Sequence, residues 1–313
     1  PVQDLPLTRW EAEGQAIRPG TSSACLWDPD GDGPLPRCVV LAGTLNLVIP
    51  NGHNIAFLTP DGWVGIPEPD GSGTIYSMET YTAPGRNVAD LFVALNGRGV
   101  HRRDGNTWTH LLDLASPRVM TVLDLDGVGP QAPVLAIGTS DGVYIHNGTT
   151  TTQLLGGISP TTVYSLLMWD ADGDGPLPSR LLAAGSGIRE WNGSQWSVLE
   201  NRTSGYVHKL CGFDFDGEGP NPPELVAVGS FATMGGVSTG PVALLRNGTW
   251  VGFGAPFTGH VVENAVSFDP DLSGPMPPRL VVSGSFSQIG GIAAWRLAYF
   301  VNGGWNLFPE HWM

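Results

Sequence analysis

The chain has 313 residues, 41% of them hydrophobic, and a formal net charge of −14, with a single lysine, Lys209, among 15 basic residues. That length and apolar content can bury a large core, as one large domain or two ordinary ones. The charge and the lack of a clustered basic face exclude a nucleic-acid partner, and the longest apolar runs, such as residues 38–42, are too short to span a bilayer, so no membrane insertion is expected.

In chain order, residues 1–18 come first, and Trp10-Glu11-Ala12-Glu13-Gly14 reads as an outer strand or closing latch. A block then recurs six times: an apolar strand, an acidic Gly-Pro loop, and a second apolar strand. That strand ends in Gly-Ser or Gly-Thr in most copies. The loop is plain at residues 26–34, 123–130, 169–176 and 213–220. At 268–275 it has lost its central glycine, and at 75–84 it is worn but alignable. Counted from the first loop Asp (Asp28, Asp124, Asp170, Asp214, Asp269; Thr82 in the worn copy), the spacings are 54, 42, 46, 44 and 55 residues. A period of that size in an all-β pattern predicts a β-propeller.

Within the fourth copy we read four strands. The first spans 163–169, the second 180–184, and the third 188–191, which runs into Asn192-Gly193, a strong hairpin signal. The fourth carries Trp196, matched by Trp63, Trp108, Trp250 and Trp305 in other copies. The expectation is a single domain over 1–313 with six four-stranded blades; seven blades is the alternative, because the N-terminal segment adds a seventh outer strand to six inner ones. Cys25 and Cys211 fall three residues before a repeat Asp, a packing position, and a Cys25–Cys38 disulfide is left to geometry.

The run Phe-Asp-x-Asp-Gly-x-Gly-Pro-x-Pro-Pro-x-Leu at 213–225, Gly229-Ser230-Phe231 with Gly235-Gly236, and the hairpin 247–250 resemble the tandem repeats of large secreted proteins in planctomycete-type bacteria. Residues 268–291 repeat most of the match. The resemblance implies a propeller, a secreted or cell-surface setting, and no established activity. A more distant likeness is to calcium-loop propellers.

The acidic loops carry the first chemical candidates. Asp28, Asp30 and Asp32, and likewise Asp170, Asp172 and Asp174, match the opening of a calcium loop, in which one-three-five carboxylates converge on a hard cation. A structural calcium is one reading. Aspartates bonding their own backbone amides to shape a turn is the other.

Divergence between copies points elsewhere. Six residues before the repeat Asp the copies carry Ser22, Tyr76, Arg118, Tyr164, His208 and Glu263, with Lys209 next in line. These positions start the innermost strands and so should ring one rim, with the flat rings and directed polar groups of a small polar-ligand or sugar site. The long connections between second and third strands in the first, fifth and sixth blades lie on the same rim and add His53, Phe231, Phe286 and Trp295.

No metal-type histidine spacing and no nucleophile motif is present. The sequence therefore predicts a secreted or surface binding or adhesion module for a glycan or protein ligand, not an enzyme. A structural, self-assembling repeat module is the alternative. A channel hydrolase using Glu263 and Glu79 is the third reading.

Overall fold

A computed structural model describes residues 21–31, 33, 37–43, 54–59, 62–69, 73–114, 116–127, 129–157, 160–173, 175, 177–216, 221–254, 257–259, 261–271, 276–294 and 296–308. The predicted N-terminal strand within 1–18 lies outside the described residues. The chain forms two compact units, 1–117 with 308–313, and 118–307.

The first unit holds two four-stranded antiparallel sheets. One is β1 (Thr21–Trp27), β2 (Cys38–Gly43), β3 (Ile55–Thr59) and β4 (Gly62–Ile66). The other is β5 (Ile75–Tyr81), β6 (Asp90–Leu95), β7 (Gly99–Asp104) and β8 (Thr107–Leu112).

The second unit holds four more. The third sheet is β9 (Val119–Leu123), β10 (Val134–Gly138), β11 (Val143–His146) and β12 (Thr151–Gln153). The fourth is β13 (Ser165–Trp169), β14 (Arg180–Ala184), β15 (Ile188–Trp191) and β16 (Trp196–Glu200). In the fifth, β17 (Val207–Phe213) and β18 (Glu224–Gly229) are followed by a hairpin, β19 (Thr233–Met234) and β20 (Val237–Ser238), before β21 (Val242–Arg246) and β22 (Thr249–Gly252) complete the sheet. Next, β23 (Phe257–Thr258) precedes the sixth sheet. That sheet is built from β24 (Val261–Phe268), β25 (Arg279–Ser285), β28 (Leu297–Val301) and β29 (Gly304–Asn306). A second hairpin, β26 (Gln288–Ile289) and β27 (Ile292–Ala293), interrupts it and pairs with β23.

Within each unit the first strands of consecutive sheets lie side by side: β1 with β5 in the first, and β9 with β13, β13 with β17 and β17 with β24 in the second. Sequential meander sheets packed this way are the blades of a β-propeller. The apolar core sits between the blades. Leu182, Ala184, Leu210, Leu225 and Ala227 fill the space between the fourth and fifth sheets, and Phe213, Val226, Val242, Val282 and Ala298 that between the fifth and sixth. Both faces of a middle blade are thus buried, which is why β18 reads as a continuous apolar run rather than an alternating one.

The outer tryptophans brace neighbouring blades. Buried Trp196 donates its indole N–H to the Leu154 carbonyl at 2.9 Å, and Trp108 donates to the Pro67 carbonyl at 2.6 Å. Asn-Gly hairpins end the sheets as the sequence predicts: Asn247 and Gly248 both take positive φ, as do Asn302 and Gly303. All three cysteines are free. In the β1–β2 register Cys25 faces Val40 while Cys38 faces Trp27, so the two thiols are offset by two pairs.

Candidate functional site

The acidic loops resolve into a repeated turn. In the fourth sheet the Asp170 Oδ1 accepts the Asp172 N–H at 3.2 Å, and the Asp172 Oδ2 accepts the Leu177 N–H at 3.1 Å. The same bonds recur at Asp124/Asp126, Asp214/Asp216 and Asp269/Asp271, and Asp28 accepts the Asp30 N–H at 3.4 Å. Two glycines make room for this. Gly173 takes a φ of +64°, and a Cβ on Gly175 would lie 2.0 Å from the Asp172 carboxylate. The spacing Asp-x-Asp-Gly-x-Gly is therefore a turn that uses one oxygen of each carboxylate on its own backbone, while the Oδ1 atoms of Asp126, Asp172 and Asp271 are buried and accept no hydrogen bond. Asp32 and Asp174, the fifth-position candidates, lie outside the described residues. Among the described residues, no three metal-capable side chains form a cluster.

The opposite ends of the first strands behave differently. In β1, β5, β17 and β24 the register slips by one residue, and the residues skipped are Ser22, Tyr76, His208 and Glu263. A bulge leaves its extra residue out of the ladder and re-aims the side chain. Arg118 and Tyr164 stand just ahead of β9 and β13 and donate their N–H groups to Gly138 and Ala184, both at 2.8 Å. The column that differs between copies is thus the column of bulged or strand-leading residues.

Within the second unit three members of the column meet. The Arg118 guanidinium lies over the Tyr164 ring at 5.2 Å. Tyr164 in turn contacts His208, centroids 5.4 Å apart, and the edge of Tyr206 at 5.8 Å. His208 Nε2 lies 3.3 Å from the Ser230 hydroxyl, and Ser285 donates to the Glu263 carboxylate at 3.1 Å. Burial holds the His208 imidazole below its ordinary pKa, and the Glu263 carboxylate pulls it the other way, so those two groups sense each other.

The Gly-Ser at the end of the second strand in the fourth and fifth sheets has a physical cause here. A Cβ on Gly229 would stand 2.0 Å from the Tyr206 carbonyl, and one on Gly185 2.1 Å from the Thr162 carbonyl. Glycine lets the incoming segment close on the sheet. The serine after Gly229 then anchors it: the Ser230 N–H donates to the Tyr206 carbonyl at 2.9 Å.

The other expected residues are placed as follows. Tyr76 is half-buried on β5 of the first unit. Lys209 follows His208 but shares the face of Cys211, whose thiol burial pushes up to about 12 against the pull of Lys209. Phe231 and Phe286 correct the expectation: both are 3% exposed and belong to the core between blades, so neither ring stands out on the rim. His53 and Trp295 lie outside the described residues. Of the two acids considered for hydrolysis, Glu263 is exposed on β24 of the second unit. Glu79 sits on β5 of the first, beside Cys25, whose thiol rises to about 12 through burial and then through Glu79. Tyr206, 47% exposed at the edge of Tyr164, is a participant the column does not contain.

No family model and no curated protein matches this chain. Among solved structures, the chain is similar to the GH74 xyloglucanase from Xanthomonas campestris, with 19% identity and a TM-score of 0.47 over 85% of this chain and 36% of that one. Two crystal structures of BBS1N in complex with ARL6DN are also similar. For the lead-soaked crystal the identity is 15% and the TM-score 0.38, over 66% of this chain and 62% of that one. For the mercury-soaked crystal they are 14% and 0.33, over 66% and 76%. The chain therefore spans less than two thirds of the xyloglucanase and of the lead-soaked BBS1N. Likeness at this level carries no activity across.

Proposed function

We propose that this propeller is an extracellular or surface binding module. It would hold a polar ligand, a glycan in the first instance, on the rim where the first strands begin. Arg118, Tyr164, Tyr206, His208 and Glu263 are the recognition residues. The observation that carries this reading is the join between divergence and geometry. A column in which the copies disagree is placed by bulges or strand starts, and in three consecutive blades its side chains, Arg118, Tyr164 and His208, form one contiguous polar and aromatic line. Packing alone does not require that. A Tyr ring offers an apolar face to sugar C–H groups at low entropic cost. The guanidinium, imidazole, carboxylate and two serines supply donors and acceptors of both kinds.

A glycan-array screen of the whole chain, with calcium and with chelator, tests the reading. The expected result is a hit lost in Tyr164→Ala and unaffected by chelation. A hit that needs calcium and ignores Tyr164 would move the site to the acidic loops. An array on which nothing binds would end the glycan reading.

A further inference from the structure

A second place on the second unit has features of a recognition site and shares no side chain with the line above. Between the fifth and sixth blades runs a groove of about 540 Å³, walled by Ser238 and Thr239 on one side and Phe257 and Gly259 on the other, with Gly252 and Gly254 beneath. Its two walls are strand edges. Among the described residues β20 pairs only with β19, and β23 is the edge of the sheet β23-β26-β27.

The register says where those edges aim. Met234 and Val237 flank a two-residue turn, Gly235-Gly236, in which both glycines have positive φ (63° and 77°). Such a turn is closed by hydrogen bonds between its flanking residues, so Val237 spends its backbone groups on Met234. Alternation along an antiparallel strand then turns the N–H and C=O of Ser238 outward. The Thr239 N–H returns inward, donating to the Ala232 carbonyl at 3.1 Å. The hairpin of the sixth blade repeats the logic. Ile289 and Ile292 flank Gly290-Gly291, with φ of 60° and 79°, so Gln288 turns to Thr258 and Phe257 is left facing away from β26. Ser238 and Phe257 thus offer backbone groups to the groove from opposite walls.

We propose that this groove takes an extended polypeptide segment of a partner protein, which adds as a strand between β20 and β23. Only a peptide backbone supplies donors and acceptors alternately on both of its edges at strand spacing. A strand occupies about 4.8 × 10 Å in section, so the groove holds roughly three residues at about 3.3 Å each. Glycines beneath allow close backbone approach. In a chain of net charge −14 the lining carries no charged side chain. The inserted residues are accordingly uncharged, with small or β-branched side chains.

The probe is a phage-displayed library of random linear heptapeptides, with the recovered peptide resynthesised for titration against the whole chain. Ser238→Pro deletes the outward N–H and no internal ladder bond, whereas Ser238→Ala keeps it. The expected result is a peptide whose affinity falls about tenfold in Ser238→Pro. It stays within about twofold in Ser238→Ala and Tyr164→Ala, and is lost when alternate amides of the peptide are N-methylated. Failure to recover a peptide, or a peptide indifferent to Ser238→Pro and N-methylation, overturns the proposal. Self-association of the protein that Ser238→Pro abolishes would overturn it too, because it assigns the groove to a second copy. Circular dichroism of each variant separates these results from misfolding.

Discussion

The two ends of the blades treat polar side chains in opposite ways. At the acidic loops five copies share one turn, in which Asp170 holds Asp172 and one oxygen of Asp172 holds Leu177, while the buried Oδ1 atoms of Asp126, Asp172 and Asp271 accept no hydrogen bond. At the strand starts the copies differ, and side chains reach from one blade to the next, Arg118 to Tyr164 and Tyr164 to His208. A repeat builds its frame from the positions it shares. It specialises at positions released from the ladder. In this chain that release is physical, because a one-residue slip in the register frees His208 and Glu263 from cross-strand pairing.

The contrast can be broken by substitutions of graded effect. The largest is expected for Trp196→Ala, which empties a buried indole site and removes its bond to Leu154. A loss of about 3–5 kcal/mol in denaturant-measured stability should weaken both ends together. Next comes Gly175→Val, whose Cβ would sit on the Asp172 carboxylate and force that turn open, at about 2 kcal/mol. Asp172→Ala, which only deletes acceptors, should cost about 1 kcal/mol. If either loop variant removed ligand binding while the fold persisted, the division between frame and site would be wrong.

The smallest effect concerns pH. Burial lowers the folded-state pKa of His208, with Glu263 opposing, so the unfolded chain binds the proton more readily. The histidine therefore adds no penalty above its ordinary pKa near 6.5, and stability falls as the pH drops through that value. His208→Gln should flatten this part of a stability–pH profile. A profile unchanged by the substitution would show that His208 is better hydrated than its contacts imply.

Much of this was legible in the sequence. Apolar alternation, Asn-Gly turns and the period set the strands, and β14 and β15 begin and end where the pattern puts them. The divergent column was also legible, because comparing copies needs no structure. Phe231 and Phe286 show where the reading went astray. They recur in the Gly-Ser-Phe of both copies, and by the same rule a shared position should have been assigned to the frame; the long loops drew attention to them instead. Tyr206 was hidden for another reason. It lies two residues ahead of the column, where the segment approaches the Gly229 backbone, and only the close packing at that glycine brings its ring to Tyr164. The open edges of β20 and β23 were equally out of reach, since register and not composition decides which backbone groups face outward.

The most direct test of the central claim pairs two variants in one calorimetric experiment, titrating the best array ligand into Tyr164→Ala and into Asp172→Ala and recording the melting of each. The account predicts that Tyr164→Ala loses at least tenfold in affinity, the scale of one stacking contact with its polar neighbours, while melting close to the parent. Asp172→Ala should keep the parent affinity and melt earlier. The reverse pattern, with affinity following the acidic loop and stability following Tyr164, would contradict it.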